Sequence, residues 1–491
     1  MSAAAPAPSD GDAFLRPGRH VMLVVALGLL AGLLVQGMRG LYRPDEGRYT
    51  AVALQMLESG DWWHPHLHHE TPHYTKPPLT YWALATSFAV FGHNEFAARL
   101  PNMAAFIGTL FLLLAAGRRV TPRRPWLPMV LYSACAFPRI GAHIVTTDTL
   151  LTLWTTGAGV AFLRWRFDAD RPVRWRRAFW LFLGLGFLTK GPPALLPLLA
   201  ILGYQLGTER FAGVRRLCDA LGLLLFAVVG FGWYAAIGIE YPAVARHWIG
   251  NEVVGRIATG VHRRNHDPLY VLVVYIPLFL VGTFPWFWWT WKGLGRGWKA
   301  RRDPQEPGAF LLVWCLIVFV VLAVAGSRLP LYLLQTMPPL ILLAAWASPL
   351  TTLRGPRSGA LVAALVVIGT LGLAAMRWFP SPADGRVLAQ QLMAVLPEPP
   401  HEVVFFNKPH HSLQMYLDCE VEHIGLFPGK DEDEHPLQGL ADELSEPEPR
   451  RVFCVDDSLE KRFRKIGGTL GTVTLLGHAG EYALYAIGPK D

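Results

Sequence analysis

Residues 21–49 read VMLVVALGLLAGLLVQGM, then RG, then LYRPDEGRY. The first part is an apolar run without a single charge, long enough to cross a hydrocarbon core about 30 Å thick. The second part packs Arg39, Arg43, Asp45, Glu46 and Arg48 into ten residues. A charge-free run that stops at a dense ionic cluster is the signature of a membrane span delivering polar side chains to one face of the bilayer. The rest of the chain repeats the pattern. Charge-poor windows recur at Ala220–Ile239 and Pro268–Trp291, and the 491 residues are 52% hydrophobic and only 17% charged. Mean hydropathy is +0.29. An ordinary soluble protein carries about 25% charged residues, so the composition excludes that class and predicts an α-helical polytopic membrane protein.

Apolar runs set against their flanks predict about eleven spans, near residues 20–38, 101–116, 126–142, 146–163, 178–189, 191–207, 218–238, 269–291, 309–325, 329–347 and 358–376. The segment 178–189 is short for a span, so 178–207 reads either as two crossings or as a re-entrant pair. The connections 117–125, 164–177, 208–216, 292–308 and 348–357 hold about 20 basic and 5 acidic residues and fall on one side of the count. Basic short loops mark the cytoplasm. The N-terminus is then expected to be cytoplasmic, with the connections 39–100 and 239–268 and the tail outside.

The net charge of +8 hides an asymmetry: residues 380–491 carry about 19 acidic and 10 basic side chains, leaving the membrane part near +17. This argues for a basic membrane face and an acidic outer domain, and against nucleic-acid binding. The expected organisation is a disordered tail over 1–18 without a cleavable signal peptide, a transmembrane domain over 19–379 and a small periplasmic α/β domain over 380–491. Within the last, strands are expected at Val403–Asn407, Arg451–Val455, Thr472–Leu476 and Tyr482–Ile487, helices at Arg386–Leu396, Ser412–Asp418 and Ser458–Lys465, and an exposed loop at Gly429–Pro449. Five cysteines are too few for a disulfide scaffold, and only Cys419 and Cys454 are placed to form a bridge.

Ionisable groups at span ends are costly and so point to function. Here they gather at the outer ends: Asp45, Glu46 and Arg48; Lys76; Arg139, His143 and Asp148; Lys190; Arg328; and, in the outer loop 239–268, Glu252, Arg256, His262, Arg263, Arg264, His266 and Asp267. Each has a plainer reading. Asp45, Glu46 and Asp148 could cap helices, and Lys76, Lys190 and Arg328 could be interfacial anchors. Capping and anchoring belong to both faces, however, whereas the acidic span-end residues concentrate on one. Cations beside carboxylates suit an anionic lipid headgroup: lysine or arginine neutralises a phosphate, and a carboxylate serves as base or steadies positive charge on a sugar carbon. No nucleotide-binding GxxxxGK[ST] loop is present, so the substrate would have to arrive preactivated. The run His64–His69 with Glu70 and His73 reads as a solvated loop or, alternatively, as a divalent metal site through His69, Glu70 and His73. Trp286, Trp288, Trp289 and Trp291 read as an interfacial aromatic belt.

The motifs Arg43-Pro44-Asp45-Glu46-Gly47-Arg48-Tyr49, Tyr74-Thr75-Lys76-Pro77-Pro78-Leu79-Thr80-Tyr81-Trp82 and Glu95-Phe96-Ala97-Ala98-Arg99-Leu100-Pro101 occur in that order. Thr147-Asp148, Thr189-Lys190-Gly191-Pro192, His266-Asp267-Pro268-Leu269-Tyr270 and Ser327-Arg328-Leu329-Pro330-Leu331-Tyr332 follow. Together they resemble the bacterial GT-C glycosyltransferases, in particular the branch that holds the aminoarabinose transferase of lipid A and the protein mannosyltransferase-like enzymes. The resemblance implies the GT-C fold, an undecaprenyl-type polyprenyl-phosphate sugar donor and inverting transfer at the periplasmic face of the inner membrane. It implies Asp45 as catalytic aspartate with Glu46 beside it, Asp148 as a second acidic position, and Lys76, Tyr332 and Arg256 as donor-phosphate ligands, with Arg48, Lys190, Arg328 and His266 completing the substrate site. That branch often carries an acidic residue before the lysine, sometimes beside a metal; Thr75 stands there in this chain, so no cofactor follows from the match.

The expectation is a membrane glycosyltransferase acting on lipid A or another envelope glycolipid. The alternatives are a protein O-mannosyltransferase-like enzyme and a transporter or flippase for a lipid-linked sugar. Transporters place their polar groups near the bilayer midplane. A non-catalytic envelope scaffold is the remaining rival.

Overall fold

The computed structural model describes residues 19–68, 72–168, 170, 172–248, 265, 267–303, 305–349, 356–375, 378–379, 381–406, 408–424, 436–446 and 450–489. The chain divides into two compact units: 1–34 with 76–79 and 102–372, and 35–75 with 80–101 and 373–491. Residues 35–75 and 80–101, which follow the first apolar run, thus group with the C-terminal residues.

The first unit is helical. Among the described residues, four helical stretches, Glu95–Val120, Ala220–Glu240, Pro307–Val324 and Pro330–Ala347, are long and apolar enough to cross a membrane, and the protein is a multi-pass membrane protein. Shorter apolar helices include Val21–Leu34 and Pro268–Leu280. Several sequence runs are interrupted for local reasons. The run 126–142 is two helices, Leu127–Ser133 and Ala136–Ala142, parted where Cys135 adopts an extended backbone. Residues 173–190 form one 18-residue helix that stops at Gly191, whose φ is +71°. Pro192 and Pro193 follow in a tight turn before the helix Leu196–Thr208; neither proline can donate to the preceding ladder. The run 269–291 breaks at Phe284–Pro285 and resumes as Phe287–Ala300. Trp286 belongs to the core rather than to a lipid-facing belt: it is buried, donates to the Leu131 carbonyl at 2.8 Å and stacks on Trp289. Trp288 and Trp291 are exposed.

The second unit holds a five-stranded sheet, β1 (Glu402–Phe406), β2 (Glu420–Ile424), β3 (Arg451–Asp456), β4 (Thr472–Ala479) and β5 (Tyr482–Gly488). The spatial order is β2-β1-β3-β5-β4, with β1 parallel to both neighbours and β5 antiparallel to both of its own. Both faces of β1 are covered, which is why it reads as an unbroken apolar run. Val403 and Phe405 pack on one side with Leu388, Leu392 and Leu413, and Val404 and Phe406 on the other with Leu440 and Phe463. β2 was missed from sequence because Glu420, Glu422 and His423 break its apolar pattern. The expected loop Gly429–Pro449 contains a helix, Pro436–Ser445, whose Leu440 enters the core; its remainder lies outside the described residues. Cys419 and Cys454 are free thiols in the core, not a disulfide. The same unit includes the helix Asp45–Ser59 and most of Leu79–Phe91.

Candidate active site

Asp45 opens the helix Asp45–Ser59 directly after Pro44. Two carboxylates in its first turn complement the positive end of the helix dipole. The backbone leading into this turn is held by the C-terminal residues. Gly40 N donates to Asp384 Oδ2 at 3.2 Å, Leu41 N to the Tyr416 hydroxyl at 2.9 Å, and Arg43 N to the Ala383 carbonyl at 2.9 Å. Gly385 N returns a bond to the Leu41 carbonyl at 2.9 Å. A Cβ on Gly40 would lie 1.9 Å from Asp384 Oδ1, and one on Gly47 2.6 Å from Ser412 N, so both sites admit only glycine. Asp45 itself is left partly open: its carboxylate accepts from Arg48 at 2.5 Å, and the two side chains are 38% and 28% exposed.

Glu46, one residue on, is a different object. It is 2% exposed and accepts from Arg39 Nη1 at 2.6 Å and Nη2 at 3.1 Å, from Tyr42 N at 2.9 Å, and from Arg99 Nε at 3.1 Å and Nη2 at 3.2 Å. Arg99 also donates to the carbonyls of Gln36, Arg39 and Gly40. Burial pushes the Glu46 carboxyl up, but the charges and hydrogen bonds of Arg99 and Arg39 outweigh it and hold the group at about 2. A carboxylate enclosed this way ties the turn to Arg39 and Arg99, a setting unlike that of the partly open Asp45. Arg99 and Glu95, the latter bonded to Arg386 and to Tyr416, were visible only as motif letters.

In the first unit, Asp148, Lys190 and Tyr332 come together. The Lys190 ammonium lies 2.6 Å from Asp148 Oδ1 and 4.3 Å from the Tyr332 ring centre. Asp148 is not the helix cap: Thr146 caps Thr147–Phe167 by accepting from Asp148 N, and its hydroxyl donates to Asp148 Oδ2 at 3.1 Å. Lys76 is half-buried in the turn before Leu79 and groups with this unit. Arg328 is engaged by backbone, donating to the carbonyls of Ala323, Asn265 and Asp267 at 2.8 to 3.2 Å. These bonds staple the residues around Asn265 and Asp267 to the turn that carries Arg328. Arg139 is likewise bound to Val366 O and Thr370, and His143 to the carbonyls of Arg139 and Gly32. Arg256 and His266 lie outside the described residues, as do His69 and Glu70.

Among the described histidines of the run 64–73, His64 pairs with Asp61 at 2.7 Å, His66 with the His64 carbonyl, His68 with Glu422 at 3.3 Å, and His73 with Thr75 at 2.8 Å. The tight carboxylate group among the described residues is elsewhere, at Glu402, Glu422 and Glu443. Arg451 already pairs with Glu402 there, and burial together with the hydrogen bond that the protonated Glu443 donates to Glu422 raises the Glu443 carboxyl to about 10. A neutral acid beside an arginine does not fit a cation.

A family profile for dolichyl-phosphate-mannose-protein mannosyltransferases matches residues 75–233. The fold matches ArnT from Cupriavidus metallidurans bound to undecaprenyl phosphate, with a TM-score of 0.79 at 21% identity over 96% of this chain and 99% of that one. It also matches the archaeal oligosaccharyltransferase AglB from Archaeoglobus fulgidus, with a TM-score of 0.55 at 11% identity over 96% of this chain and 74% of that one. A polytopic helical body with a small α/β domain of this topology is the GT-C glycosyltransferase fold. In sequence the chain is 32% identical over 367 residues to an undecaprenyl phosphate-alpha-4-amino-4-deoxy-L-arabinose arabinosyl transferase of Pseudomonas savastanoi pv. phaseolicola, covering 72% of this chain and 67% of that protein. A relative of the same description from Sodalis glossinidius is 32% identical over 341 residues, covering 67% of this chain and 59% of that protein. The chain belongs to this family of undecaprenyl phosphate-aminoarabinose arabinosyl transferases.

Proposed function

We propose that the protein transfers a sugar from an undecaprenyl-type polyprenyl phosphate to lipid A or another envelope glycolipid, at the periplasmic face of the bacterial inner membrane. The observation that carries this reading is Asp45: a partly open carboxylate, paired with Arg48, on a helix start whose backbone is clamped on every side. That turn follows the first apolar helix of a chain in a sugar-transferring family. The reading has the acceptor oxygen attack the anomeric carbon from the face opposite the donor phosphate. The bond from that carbon to the phosphate oxygen breaks as the new glycosidic bond forms, and polyprenyl phosphate leaves as an anion. If the acceptor is a phosphate it is already ionised; Asp45 then orients it and steadies the positive charge on the sugar carbon, while Arg48 offsets the charge between the two anions. A hydroxyl acceptor would need Asp45 as base. Lys76, Lys190, Tyr332 and Arg256 are assigned to the donor phosphate, with Asp148 orienting Lys190 through the 2.6 Å pair. The basic short loops support a cytoplasmic N-terminus and a periplasmic C-terminal domain.

The test is mass spectrometry of lipid A and periplasmic glycans from cells expressing wild type, Asp45→Asn or no protein. A sugar-mass increment that appears with wild type alone identifies both sugar and acceptor. An identical glycan profile for wild type and Asp45→Asn would remove Asp45 from the chemistry and revive a transporter or scaffold reading.

A further inference from the structure

Tyr81 is among the largest side chains in the protein with no exposure at all, and its hydroxyl has no hydrogen-bond partner among the described residues. Enclosing an unsatisfied phenol is costly, and phenylalanine would fill the same space without that cost. The ring has ample packing of its own: it lies 6.0 Å from Tyr49 and 6.2 Å from His73, centre to centre. Ring packing alone therefore does not account for the hydroxyl. What it does have is position. It sits within electrostatic reach of Asp45, Arg48 and Tyr49, all in the same compact unit. Arg48 Nε is also buried without a hydrogen-bond partner among the described residues, although the other end of that guanidinium holds Asp45. The two unmet groups are complementary, since a phenol oxygen accepts from a guanidinium while its own proton is donated onward.

We propose that Tyr81 is a positioning residue that takes over Arg48 when Asp45 engages the acceptor: the phenol oxygen receives Arg48 Nε–H and the phenol O–H turns to the Asp45 carboxylate. The hydroxyl is left unpaired in the free protein because its partners are assembled during the reaction. This rests on the transfer reaction proposed above. It differs from a structural role in what it predicts for the mildest substitution, because Tyr81→Phe keeps the ring and deletes only the oxygen.

The experiment compares purified wild type, Tyr81→Phe and Tyr81→Leu in sugar transfer from a polyprenyl-phosphate donor, with thermal unfolding of each in detergent. Tyr81→Phe is expected to melt at or above the wild-type temperature, to keep the donor KM, and to lose about ten-fold or more in kcat, the scale of one hydrogen bond to a charged group. Tyr81→Leu is expected to lose stability as well. Wild-type kcat in Tyr81→Phe, with losses only in Tyr81→Leu, would reduce Tyr81 to packing and overturn the proposal while leaving the transfer reaction intact. Absence of transfer by wild type under the same conditions would overturn both.

Discussion

Replacing Glu46 by glutamine separates a structural carboxylate from a catalytic one. The substitution keeps the shape and one acceptor oxygen but removes the charge that two guanidiniums share, with Arg39 and Arg99 themselves 8% and 1% exposed. Removing one partner of a buried ion pair costs about 3–5 kcal/mol, because the remaining charge is left uncompensated. The ionisation of Glu46 gives a second route to the magnitude: a carboxyl shifted from 4.5 to about 2 on folding contributes roughly 3 kcal/mol when ionised. The two agree in size. For a unit of this length such a loss lowers the unfolding midpoint by roughly 10 °C. Thermal unfolding in detergent, followed by tryptophan fluorescence, reads the shift, and transfer activity measured well below the midpoint is expected to persist. A Glu46→Gln protein that melts like wild type but no longer transfers sugar would refute the reasoning and return Glu46 to the chemistry.

The same carboxylate sets an acid limit. Its folded value is depressed, so its contribution is complete above about pH 4.5 and fades as pH falls toward 2; the stability gap between wild type and Glu46→Gln should be flat above pH 5 and close below it in melting curves taken across that range. In Lys190→Gln, Asp148 loses the ammonium 2.6 Å away. Melting should fall by several degrees, and the further change Asp148→Asn should restore stability without restoring transfer. Melting of the wild type should be indifferent to reducing agent, and denaturation with an alkylating reagent should label five thiols, since all five cysteines are free.

The C-terminal strands show how far local pattern reaches. β1, β3 and β5 carry continuous or alternating apolar runs and were legible within a residue or two, because burial on a sheet face imposes its period on the chain. β2 was not, since an edge strand need bury only one side. The helix Pro436–Ser445 hid in acidic sequence for a related reason: a helix on the surface of a sheet needs only a narrow apolar stripe, here Leu440 with Leu444 beside it. The break at Gly191-Pro192-Pro193 could be read from residue type, but the extension of its helix back to Val173 could not, because Arg174, Arg176 and Arg177 look like loop. Arg176 and Arg177 bond Asp219 across the fold.

The sequence by itself determined that this is a helical multi-pass membrane protein of the GT-C type with a small α/β domain. It also marked Asp45, Lys76, Asp148, Lys190 and Tyr332 as the residues to watch. Those conclusions follow from hydrophobic periodicity, charge asymmetry and ordered motifs, all of which are local or additive along the chain. Only the tertiary structure decided how each ionisable group is surrounded. Asp45 and Glu46 are neighbours with the same functional group, yet one is partly open beside Arg48 and the other is closed between Arg39 and Arg99. Arg328 and Lys190 look alike as span-end cations, yet one binds backbone carbonyls and the other a carboxylate. The free energy of a charge depends on the solvent it loses and the partners it gains, and both are set by residues that may be hundreds of positions away, as Asp384 is from Gly40.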